Sequence, residues 1–110
     1  MSLTINIYYT GKNGSARAFA KEMTESGLVQ RVRAEAGCQR YEYFFPMDRD
    51  DAVLLIDSWV DQAALDRHHH TPMMGRIIEL REKYDLHMKV ERYVSDEAGI
   101  PQQDKDFIRD

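Results

Sequence analysis

Cysteine is almost absent from this 110-residue chain: Cys38 stands alone, so no intramolecular disulfide can form, and no Cys/His spacing of a zinc site occurs. That usage fits a reducing, cytosolic setting. Tryptophan is as scarce, with Trp59 only, and proline occurs three times. Positive charge is not in excess: 15 Lys and Arg stand against 19 Asp and Glu, a net charge of -4, which offers nothing to a phosphate backbone. No apolar run approaches the roughly 18 residues that span a bilayer, and Met1 to Tyr9 lacks the basic and apolar parts of a secretion signal. Nucleic-acid binding, membrane insertion and secretion are all disfavoured. The P-loop, G-x-G-x-x-G and G-x-S-x-G patterns are missing too, which removes the usual sequence support for nucleotide and serine-hydrolase chemistry.

What remains is a chain 43% hydrophobic and 31% charged, the composition of one folded domain. Leu3, Ile5, Ile7 and Tyr9 alternate with polar residues, so the first element reads as a strand, and Gly11 to Gly14 ends it in a turn. Ser15 reads as the N-cap of a helix that runs to Ala36, with a break at Ser26-Gly27 where the apolar face changes. Gly37 then opens a second strand, Gln39 to Phe45, and a loop of aspartates leads to Val53 to Val60, apolar enough to be a central strand. Asp61 caps a short helix to His69, Thr71-Pro72 starts another towards Tyr84, and Leu86 to Val94 alternates as a fourth strand. The order βαββαβ predicts an α+β, ferredoxin-like domain over residues 1–94, with a four-stranded antiparallel sheet and helices on one face. Residues 95–110 form an acidic tail, with five acids against two bases. Apolar and aromatic residues fall on both faces of the middle strands, so the face without helices calls for a second subunit.

Candidate chemistry is sparse. His68, His69 and His70 are adjacent, and successive helical residues point about 100° apart, so they cannot converge on one metal. No metal site is expected. His68 shares a helix face with Leu65 and is the one expected to turn inward. Trp59 shares a strand face with Val53, Leu55 and Asp57, and Asn6 lies on the face opposite Leu3, Ile5 and Ile7. Tyr41 and Tyr43 can line either a core or a site for a flat aromatic ligand, and Met73 adds an adaptable wall. Each of these residues also has a plain structural reading as core.

One segment, Glu35-Ala36-Gly37-Cys38-Gln39-Arg40-Tyr41-Glu42, lies before and within strand two. A second runs from Ser58-Trp59 through Ala63-Ala64-Leu65-Asp66-Arg67-His68 to Thr71-Pro72. In these two segments, and in element order across residues 3–94, the chain resembles the antibiotic biosynthesis monooxygenase family of dimeric α+β barrel proteins. The resemblance implies a homodimer with facing sheets and a pocket between each sheet and its helices. It further implies oxygenation of a phenolic or quinol-like aromatic by dioxygen with no metal, flavin or haem. His68 would then accept a proton, and Trp59 and Asn6 would orient the ring or a peroxide. Tyr41, Tyr43, Leu65 and Met73 would line the pocket. A dry, closed cavity beside Trp59 and His68, large enough for two or more rings, supports that chemistry, and a filled core there would sink the enzyme reading. The alternatives are a non-catalytic aromatic-binding or stress-response barrel and an isomerase that moves a proton through His68. The haem-degrading branch fits less well, because its tryptophan and iron-ligating histidine fall on His68 and Ile78.

Overall fold

The computed structural model describes residues 1–110 in full. Strand β1 (Leu3–Thr10) alternates buried and half-buried residues along its whole length, as its sequence period requires. Its inward residues, Leu3, Ile5, Ile7 and Tyr9, meet the helices. Helix α1 (Ser15–Glu25) packs Ala16, Phe19, Ala20 and Met23 inward, and α2 (Leu28–Arg33) follows after a turn. The break falls where the apolar face changes, at Gly27 with φ of 85°. One detail departs from expectation: Gly14, in the left-handed region, precedes α1, and Ser15 is the helix's first residue, so its hydroxyl caps nothing.

Strands β2 (Cys38–Phe44) and β3 (Ala52–Trp59) form a hairpin, each one residue earlier than the apolar pattern indicates. Asp61 caps α3 (Gln62–His69) by accepting from the Ala64 amide at 2.9 Å, and Pro72 opens α4 (Pro72–Lys83). Strand β4 (His87–Val94) pairs with β1, giving an antiparallel sheet in the order β2-β3-β1-β4. As expected, β3 is internal. A short helix α5 (Gln102–Lys105) interrupts the acidic tail. No helix is long and apolar enough to cross a membrane.

All four main helices lie on one face, over a 17-residue core that includes Leu3, Phe19, Tyr41, Trp59, Leu65 and Ile77. The register fixes which side chains share it. Tyr41 lies opposite Asp57, Asp57 opposite Ile5, and Trp59 opposite Leu3, so these belong to the helix-covered face. Glu42, Ile56, Asn6 and Glu91 form a row on the other face, which carries no helix.

Candidate functional site

The inward face of β3 ends in a polar pair. Asp57 and Trp59 are two residues apart on one strand face, and the Trp59 indole Nε1–H donates to Asp57 Oδ1. Above them, α3 sets His68 flat on the indole, with ring centroids 4.8 Å apart and planes 26° from parallel. The short α3 is held to this position by its Asp61 cap at one end, and at the other by the Thr71 hydroxyl, which donates to the His68 carbonyl at 2.8 Å.

A third segment brings the partner of His68. Between α2 and β2 the chain turns at Gly37, whose φ is 85° and where a Cβ would sit 2.6 Å from the Ala64 Cβ of α3. Glycine therefore lets this turn press against α3, and two residues earlier Glu35 reaches His68 Nδ1 at 2.8 Å. An ionised carboxylate can only accept, so Nδ1 carries the hydrogen and Nε2 is the bare nitrogen. Nε2 makes no hydrogen bond within the chain. His68 is the only buried residue of the three histidines, as its place beside Leu65 suggests.

Burial sets the electrostatics. Asp57 is 5% exposed, and loss of water pushes its carboxyl up to about 6, against the opposing pull of the Trp59 hydrogen bond and of the neighbouring His68 and Arg81. Burial also raises the Tyr41 phenol well above its ordinary value and raises that of Tyr43, while it lowers His69. Arg81 of α4 donates to the Tyr9 hydroxyl at 3.1 Å.

The structure brings together most of the residues singled out from the sequence, and separates one. Tyr41 stands edge-on to His68 at 6.2 Å and to Tyr43 at 6.0 Å, and Leu65 and Met73 are buried in the same core. Asn6 lies on the opposite face of the sheet, in the row of Ile56 and Glu42, and cannot join His68 and Trp59 within one subunit. Alternation along β1 is the reason: Asn6 follows Ile5, which faces the helices. The Trp59 N–H is also committed to Asp57, which leaves the indole as a wall and removes it as a donor to a ligand.

The expected cavity is not open beside Trp59 and His68. Trp59 is fully buried, and His68, Tyr41 and Leu65 are each 2% exposed, so side chains fill that volume. The largest cavity, about 620 Å³, is an open groove between α1 and the end of β2, with Ala20, Tyr43 and Phe45 as its apolar part and Arg17 and Lys21 at its rim. Of the expected lining residues, only Tyr43 faces it. Two groups, the half-buried Glu35 and the buried Asp57, had readable signals that their neighbours outshone. Glu35 sits two residues before a glycine that ends a helix, and Asp57 is an acid at an inward position of an apolar strand.

A four-stranded antiparallel sheet covered on one face by two helical pairs, with an imidazole held between a carboxylate and an indole, defines a ferredoxin-like α+β protein. The profile of the antibiotic biosynthesis monooxygenase family matches residues 2–80, and the chain belongs to that family. Protein PA3566 from Pseudomonas aeruginosa is 30% identical and superposes with a TM-score of 0.73 over 86% of this chain and 93% of that one. SnoaB from Streptomyces nogalater, a cofactor-independent oxygenase, shares the fold at 14% identity, with a TM-score of 0.72 over 87% of this chain and 94% of that one. An uncharacterised protein of Synechocystis, sll1783, is 31% identical over 52 residues, which is 47% of this chain and 35% of that protein.

Proposed function

We propose that this chain is a cofactor-independent monooxygenase that oxidises a phenolic or quinol-like aromatic with dioxygen, with His68 as its base. The supporting observation is the Glu35–His68 pair: the 2.8 Å bond to Nδ1 fixes the tautomer that leaves Nε2 unprotonated, next to an aromatic wall. Family membership agrees with the reading, and SnoaB, a cofactor-independent oxygenase, has the same fold.

An anthrone-type substrate carries an acidic C–H that such a base can remove. His68 Nε2 takes a proton from the substrate, and the resulting anion gives one electron to dioxygen. The radical and superoxide combine into a carbon-bound peroxide. The peroxide takes the proton back from His68, then loses water to leave a carbonyl, so one oxygen atom enters the product and one leaves as water. The substrate is the reductant throughout. Exclusion of water strengthens each electrostatic interaction in these steps.

The filled volume beside His68 is the observation that counts against this reading: it excludes a preformed pocket there, and the reaction requires the α3 and α4 wall that carries Leu65 and Met73 to yield to substrate. The same filling favours a second reading, in which His68 and Trp59 support the helix and the chain binds aromatics without turning them over. Oxygen uptake with hydroquinones and anthrones, in chelator and without flavin, separates the two. Uptake that falls at least ~100-fold in His68→Ala agrees with the first reading. Aromatic binding with no uptake agrees with the second. A homodimer completes the proposal: the helix-free face carries Tyr8, Leu54, Ile56 and the half-exposed Tyr93, and there Asn6 Oδ1 is buried without a hydrogen-bond partner.

A further inference from the structure

Asp57 has no part in the proposed oxygenation, yet it is a buried carboxylate on the strand that carries Trp59. A carboxylate removed from water is costly unless its oxygens are bonded. Asp57 spends its one side-chain hydrogen bond on the indole N–H. That bond fixes the ring about its long axis, and the ring is the surface on which His68 lies at 4.8 Å. The imidazole is thus held from two sides: Glu35 bonds to its edge, and the indole supports its face.

We propose that Asp57 is a positioning residue for His68, acting through Trp59: its carboxylate clamps the indole, and the clamped indole sets the plane of the imidazole. This rests on His68 being the working group. The clamp itself is a structural statement that can be tested without any substrate.

The groups around Asp57 come from every neighbouring element. Tyr41, Tyr43 and Cys38 face it from β2, Tyr9 from β1, His68 from α3, Arg81 from α4, and Glu35 from the turn before β2. The tyrosines stay neutral at working pH, so Arg81 is the cation that favours an ionised Asp57 and Glu35 the anion that opposes it. A carboxylate accepts a stronger hydrogen bond than a neutral acid does. The clamp therefore tightens as Asp57 ionises, and the value near 6 places that step within an accessible pH range.

Because Trp59 is the chain's single tryptophan, all indole emission comes from the ring that Asp57 clamps, and His68→Gln separates the contribution of the stacked imidazole. The experiment follows Trp59 emission and anisotropy from pH 4.5 to 8 in wild type, Asp57→Asn, Asp57→Leu and His68→Gln. Asn keeps an oxygen acceptor but cannot titrate; Leu keeps neither property. The expected result is a titration step present in wild type and His68→Gln and absent from Asp57→Asn. Asp57→Asn keeps the wild-type anisotropy at pH 8, and Asp57→Leu shows a red-shifted, more mobile indole. A step that persists in Asp57→Asn, or one lost in His68→Gln, overturns the proposal. So does Asp57→Leu emission that matches wild type; if Asp57→Leu does not fold, the Asn and Gln comparison decides alone. Where a substrate is turned over, Asp57→Asn lowers kcat at most a few-fold and removes the acid limb that this group contributes, leaving KM unchanged. Where none is, the fluorescence result still judges the clamp, so the two failures are distinct.

Discussion

At the scale of single residues, the balance of the site turns on a buried acid. Asp57 holds its proton up to about pH 6 in the fold, against 3.8 when free in solution. Between those values the native state binds more protons than the unfolded chain, so stability falls as pH rises through that window, by roughly 3 kcal/mol in all. Asp57→Asn carries no such penalty. Its Tm relative to wild type should therefore rise from pH 4 to pH 7, and a difference that stays flat across that range would contradict the assignment. How much of this was legible follows from parity. Alternation along β3 already put Asp57 beside Trp59 on one face, and the three-residue spacing from Leu65 turned His68 inward. The Glu35–His68 bond was not legible, because it joins residues 33 apart through a turn whose approach to α3 only the tertiary packing defines. Parity also placed Asn6 on the face away from Leu3, Ile5 and Ile7. The resemblance nonetheless grouped it with His68, and the backbone geometry overrules that grouping.

At the scale of elements, the turn between α2 and β2 is the joint that delivers Glu35. Gly37 serves it twice: its positive φ suits glycine, and the absent Cβ lets Ala64 approach. Gly37→Ala should cost about 1–3 kcal/mol in urea unfolding and displace Glu35 from His68; an unchanged midpoint would remove this role. The element order, the break in the first helical region and the internal place of β3 were all legible in apolar period and glycine position. The cap of α1 was not, because Gly14 in the left-handed region holds the N-cap position assigned to Ser15, with no side-chain cap. Strand β4 shows a further limit of pattern. Its alternation is regular, yet as an edge strand it leaves Met88, Val90 and Val94 exposed, since no helix reaches over it.

At the scale of the whole molecule, helices on one face leave a sheet surface on which Ile56 lies opposite Asn6 and Glu42. If two such faces meet, as proposed, Ile56→Lys places a charge in the contact. Light scattering across a concentration series should give a dimer for wild type and a monomer for the variant. A wild-type monomer, or a dimer that tolerates the lysine substitution, would refute the face-to-face arrangement. The acidic tail lies beyond the residues that the family profile covers and takes no part in the core. Oxygen uptake decides the base role of His68. With a hydroquinone or anthrone that wild type accepts, in chelator and without flavin, turnover should fall at least ~100-fold in His68→Ala with the fold retained. Equal uptake by the two proteins would contradict it.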